Sequence, residues 1–249
     1  MNQEFAAEWI KYRRTLTWWI IVCWPLLLVL AEAVLMPSDH IWSTKLMNTF
    51  NWWSIIGMSI MVTLLAELSQ FYERRSNSWN VLCTRSIRPS RLYLAKYLVV
   101  AIQLLVASVL FGTYVVLVNF LFWGLPNSVP WGELIEGLVF VWIAVLPQLA
   151  IMLWLAVRVS LGLAVGWGFI GMFVGMIVAE KPYWFIMPWA WSGRILMPIF
   201  GFNINGLPLQ KGSVFWNQDV IFVGLILSVV VTAIVVTLSA FLFERREVK

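Results

Sequence analysis

Few side chains in this sequence could carry out a reaction, and their spacing does not bring them together. The single histidine, His40, has no second imidazole with which to share a metal, and Cys23 and Cys83 lie about one membrane span apart. Neither H-E-x-x-H nor C-x-x-C occurs, so zinc hydrolysis lacks its ligands. No G-x-x-x-x-G-K-[ST] run is present to cradle a nucleotide's phosphates, and there is no G-x-S-x-G. The carboxylates Glu32, Glu67 and Glu136 fall toward the ends of apolar runs, whereas proton-coupled carriers keep such groups near mid-membrane. These absences argue against an enzyme. They favour a membrane subunit whose energy comes from elsewhere.

One charged stretch stands between two apolar runs, FYERRSNSWNVLCTRSIRPSRLYLAK, residues 71–96. It carries six cations (Arg74, Arg75, Arg85, Arg88, Arg91 and Lys96) against one acid, Glu73. Clustered Lys and Arg resist translocation, so this loop belongs on the cytoplasmic side. Residues 75–82 fit a short helix. Trp79 and Leu82 share its apolar face, while Arg75, Asn77, Ser78 and Asn80 supply polar contacts. Pro89 ends any such helix, because the residue before a proline disfavours helical angles. A helix tied at both ends to spans is a lever handle: a partner that moves it moves two spans.

Composition sets the elements around that loop. The chain has 249 residues, 61% hydrophobic and 12% charged, against about 25% charged in a soluble domain. Its apolar blocks have membrane-spanning length, which gives an all-α integral membrane protein. The net charge of +5 is gathered at a few points, in a pattern that suits anionic lipid and not nucleic acid. Several of the seventeen Trp residues fall near span ends, where an amphipathic ring suits the headgroup region.

Residues 1–14 place Phe5, Trp9 and Tyr12 on one face and are read as an interfacial helix, not as a signal peptide. Six spans come after it, near residues 15–36, 52–71, 97–123, 134–157, 159–179 and 220–243. Glu32 is expected to reach water at the interface, and residues 37–51 to form a polar turn. Pro25 and Pro147 sit inside spans and can bend them. Gly162/Gly166 and Gly171/Gly175 have the G-x-x-x-G spacing, which allows close helix packing, within this bundle in preference to a face between copies. Residues 180–218 carry Pro182, Pro188 and Pro198 with Arg194 among them, so a seventh crossing is rejected in favour of short re-entrant or interfacial outer helices. With both termini inside, thirteen of the seventeen Lys and Arg fall on the cytoplasmic side.

The order of these parts, with E-R-R-S-N-S-W-N-V-L…R-P-S-R-L-Y-L-A-K and P-W-A-W-S-G-R, resembles the permease subunit of type-2 ABC exporters. Within that group it is similar to the small permeases of lantibiotic immunity and bacitracin-type peptide resistance. The resemblance covers essentially the whole chain, as one transmembrane permease domain. It implies that residues 72–96 hold a coupling helix docking on a separate ATPase through Asn77, Ser78, Trp79, Asn80, Val81 and Leu82, flanked by Glu73, Arg74 and Arg75. It implies two ATPase copies, which bind the ATP and Mg, and a second permease, identical or a related chain. No cofactor is expected in this chain. Trp184, Trp189, Trp191 and Arg194 would line the substrate path. The implied function is export of antimicrobial peptides from the bacterial cytoplasmic membrane, giving self-protection or antibiotic resistance. The alternatives are a type-2 permease for another lipid-like drug or ion, and a membrane-embedded enzyme or sensor using Arg194 and Glu180.

Overall fold

The computed structural model describes residues 2–12, 15–35, 41–75, 89–123 and 128–246. Helix α1 (Asn2–Tyr12) is amphipathic. Phe5 stacks on Trp9 at 6.1 Å, and Trp9 meets Trp18 edge-on at the same distance. Tyr12 and Glu8 are buried, and Glu8 pairs with Lys11 one turn on. The Thr15 hydroxyl donates to the Tyr12 carbonyl at 2.9 Å and closes the end of the helix. The chain then enters α2 (Leu16–Leu35), which takes Pro25 without interruption.

The second span departs from the sequence expectation. Residues 41–51 are not a polar turn. Helix α3 (Trp42–Trp52) passes through a five-residue π turn, Trp53–Gly57, into α4 (Met58–Arg75). The apolar helix Trp42–Phe71 is 30 residues long. The polar residues that suggested a turn are buried with internal partners. Lys45 faces Glu32 across 3.9 Å, and Asn51 Nδ2 donates to the Asn203 carbonyl at 3.1 Å. Polar groups satisfied inside the protein cost a membrane helix little, whereas hydropathy averages count them as if exposed.

The third span also starts early. Helix α5 (Pro89–Trp123) has Pro89 at its first position, where a missing N–H does no harm. It therefore takes in Arg91, Tyr93 and Lys96, and the stretch between α4 and α5 narrows to residues 76–88. Helix α6 (Trp131–Arg158) and helix α7 (Leu161–Val178) are joined by Val159 and Ser160 alone, a tight turn directly after Arg158.

A 3-10 turn at Trp184–Ile186 leads into α8 (Pro188–Phe200), and a second at Val214–Trp216 precedes α9 (Asp219–Arg246). With 13 residues, α8 is about 20 Å long, short of the roughly 30 Å hydrocarbon core. Pro188 starts it, and Gly201 at φ 70° ends it with its N–H on the Met197 carbonyl. Six helices are long and apolar enough to cross a membrane, and the described residues form an all-α integral membrane protein. Nearly all of α8 is buried, against α6, α7 and α9.

The interior is organised by an aromatic column. Trp53 stacks on Phe111 at 4.3 Å, Phe111 meets Phe50 edge-on at 5.6 Å, and Phe50 stacks on Phe200 at 4.2 Å. It joins the second span, the third span and α8. Gly137 of α6 lies against it, since a Cβ there would come within 2.5 Å of Phe200.

The two glycine pairs of α7 differ. A Cβ at Gly171 or Gly175 would meet Trp189 of α8 at 2.5–2.8 Å, whereas Gly162 and Gly166 have open space beside them. Gly175→Leu should therefore cost about 1–3 kcal/mol through overpacking, read as a lower thermal midpoint in detergent. Gly166→Leu should leave that midpoint unchanged.

Candidate functional site

At one end of the bundle, Glu73, Arg74 and Arg75 form the last turn of α4. The proposed docking residues Asn77, Ser78, Trp79, Asn80, Val81 and Leu82 lie outside the described residues, as do His40 and Cys83. Cys23 is free and exposed. Among the described residues no three His, Cys, Asp or Glu side chains gather to hold a metal.

At the other end, residues 179–218 fold into a cap. Trp191 is 1% exposed and Arg194 8%, so neither is on the surface in this conformation. Arg194 lies with Cζ 4.6 Å from the Phe215 ring centre and 6.0 Å from that of Trp184. Its Nη1 donates to the Met197 sulfur at 3.4 Å. Burial lowers the guanidinium pKa, and the nearby Glu180 carboxylate opposes that shift. Glu180 also accepts from the Ile204 amide at 3.2 Å, holding the loop after α8. Trp189 fills the space left by Gly171 and Gly175. Trp184, Trp189, Trp191 and Arg194 thus all belong to the cap, where Arg194 meets Trp184 and Phe215 while Trp189 packs on the α7 glycines.

The π turn connects this cap to α4. A π turn breaks the i→i−4 pattern and frees carbonyls, which lipid cannot satisfy. Here the Ser54 carbonyl accepts from the Ser192 hydroxyl of α8 at 2.8 Å, and the Gly57 carbonyl accepts from Trp24 Nε1 of α2 at 3.0 Å. One turn earlier, Asn51 ties α3 to the loop after α8. Sequence reasoning missed Asn51, Ser54, Ser192 and Trp24. The available signal was the polar series Lys45, Thr49, Asn51 and Ser54 leading into an apolar run.

Glu32 corrects an expectation. It is 1% exposed and faces Lys45, itself fully enclosed, instead of reaching water. Burial of one such charge is tolerable only because the other comes with it. The α3 helix that carries Lys45 back alongside α2 makes the pair.

Between α5 and α6 lies a groove of about 390 Å³, flanked by Leu105, Val109, Val116, Leu134 and Leu138. Its hydroxyls are already engaged: Thr113 donates to the Val109 carbonyl and Ser108 to the Met58 sulfur. The groove presents apolar surface only.

Six apolar spans, a buried polar string along the second and a cap on one side define a multi-pass membrane protein. A family model described as ABC-2 family transporter protein matches residues 5–175, more than half of the chain. The chain belongs to that family: it is a membrane permease of an ABC transporter, a class that works with an ABC ATPase subunit. No curated protein and no solved structure matches the chain.

Ser192→Ala would leave the Ser54 carbonyl without its partner in a buried position. It should lower stability by about 1–3 kcal/mol, measured as a drop in thermal midpoint. Ser192→Thr, which restores a hydroxyl, should recover part of the loss.

Proposed function

We propose that this permease belongs to an exporter that removes antimicrobial peptides of the lantibiotic type from the membrane and releases them outside. The observation that carries the transport reading is continuous structure from coupling segment to cap. The helix through α3, the π turn and α4 ends at Arg75, where the coupling stretch begins, and its upper half is hydrogen-bonded to α8. A push on residues 76–88 is delivered along that helix to the cap holding Trp184, Trp189, Trp191 and Arg194.

ATP and Mg are bound by the partner ATPase, in two copies, and a second permease, identical or related, completes the path. Both termini and the coupling segment face the cytoplasm, in keeping with the cation distribution. The peptide assignment rests on the likeness of the 73–96 and 188–194 stretches to peptide-resistance permeases, and on the aromatic character of the cap. Rings offer cation–π and apolar contact to cationic amphipathic peptides. The acids assigned to this side, Asp39, Glu133 and Glu180, are few, so recognition is chiefly apolar. A second reading, a lipid-like cargo, is favoured by the apolar groove between α5 and α6.

The test of coupling is Trp79→Ala with Leu82→Ala. The double variant should insert normally and lose at least about tenfold of the co-purifying ATPase, as expected when paired apolar anchors of an interface are removed. Undiminished co-purification would reject the docking assignment. Challenge of cells carrying the intact pump with a lanthionine peptide, and separately with a lipid-like dye, separates the two cargo readings. Protection against the peptide alone supports the first.

A further inference from the structure

We propose that the groove between α5 and α6 holds one acyl chain of a phospholipid from the cap-side leaflet. Two stripes of residues make it. On α5, Leu105, Val109, Gly112 and Val116 recur at helical spacing; on α6, Trp131, Leu134 and Leu138 do the same. Residues so spaced share one helix face, so the stripes are two walls of a single trough. Buried Gly112 lets the walls meet at the base, since a Cβ there would come within 2.6 Å of Leu138. At the deep end the two helices are tied. Trp142 Nε1 donates to the Ala101 carbonyl at 2.9 Å, and the Tyr97 hydroxyl donates to the Leu146 carbonyl at 3.3 Å. The trough is therefore closed below and open to the side, where Val109, Leu117, Ile135 and Val139 are exposed.

Its dimensions are those of one hydrocarbon chain. The α5 wall runs from Leu105 to Leu117, about 18 Å at 1.5 Å per residue. One leaflet is half of the roughly 30 Å hydrocarbon core, about 15 Å. Trp131, the first residue of α6, marks the mouth, at the level where an indole suits the headgroup region. Leu105 lies near the middle of α5 and marks the deep end. The volume of about 390 Å³, spread over that length, gives a section of about 22 Å². A helix about 10–12 Å across does not enter so narrow a space, which excludes a span of a second copy.

The surroundings select the same occupant. Water would find no partner, because the Ser108 and Thr113 hydroxyls are engaged within the protein. An empty trough would forfeit the dispersion contacts of both walls. Its open side is continuous with the exposed apolar faces by which these spans meet the bilayer, so a lipid chain enters sideways without leaving hydrocarbon. The acids of α6, Glu133 and Glu136, are not among its walls. The trough therefore selects a chain and is indifferent to the headgroup. That chain is resident and not transported, so its presence does not depend on which cargo is exported.

The experiment places the full chain in nanodiscs of phosphatidylcholine containing a small share of phosphatidylcholine with a diazirine near the end of one acyl chain. Illumination attaches that chain to the residues beside it, and mass spectrometry of peptides locates the adducts. Labelling at Leu105, Val109 and Val139 should exceed severalfold that at Val223, Ile226 and Val230, which are exposed on α9. Moving the diazirine toward the carbonyl should shift the adducts to Leu117 and Trp131. Val109→Trp, at an exposed position, should fill the trough and bring labelling of Val139 down to the α9 level. Val139→Trp should do the same for Val109 from the other wall, even if the first variant fails to insert. Val223→Trp should change nothing. Even labelling over α5, α6 and α9, or labelling that survives both trough variants, would overturn the site. Loss of the adducts on adding excess lipid-like dye would overturn the resident lipid and assign the trough to cargo.

Discussion

Carbonyl groups freed inside a membrane must find donors within the protein, and the second span frees some at its π turn. The Ser54 and Gly57 carbonyls are met by Ser192 of the cap and by Trp24 of the first span. The irregular turn is thus possible only while α2 and α8 are in place, and those helices are in turn located by it. Asn51 adds a third tie, to the loop after α8. The Glu32–Lys45 pair adds a fourth, between α2 and α3. None of these groups would be tolerated facing hydrocarbon alone, so the cap-side half of the bundle stands or falls as a unit.

Around this polar string the packing is aromatic. Trp53, Phe111, Phe50 and Phe200 form a column with ring separations of 4.2–5.6 Å. Gly137 lets α6 close on it, much as Gly171 and Gly175 let α7 close on Trp189. Large rings on one element meet missing side chains on the next, which brings backbones near without voids. The arrangement makes the cap an integral layer of the bundle, joined to the second, fourth, fifth and sixth spans.

The sequence made much of this readable and hid the rest for physical reasons. Span number came from apolar length, and the rejection of a seventh crossing from Pro182, Pro188 and Pro198; α8, too short to cross, agrees with both. Hydropathy failed at residues 41–51, where Lys45, Thr49 and Asn51 look solvent-seeking. Their partners, Glu32 and the backbone near Asn203, are brought in from elsewhere in the chain. The same reasoning misplaced Glu32, since a carboxylate near a span end reads as interfacial unless a buried lysine is known to face it. Helix α5 begins ahead of the apolar run near residue 97 because Pro89, a stop signal for a helix on its N-terminal side, is equally a start signal for one on its C-terminal side. The enclosure of Arg194 and Trp189 was not legible, because it depends on Phe215 and the α7 glycines.

The position of the π turn along its helix has a mechanical meaning. Below it α4 runs 18 residues to Arg75, and above it α3 runs 11 residues to Trp42. At 1.5 Å per residue these arms are about 27 Å and about 17 Å. The two arms differ by a factor of about 1.6, so any tilt centred on the turn carries the Arg75 end about 1.6 times as far as the Trp42 end.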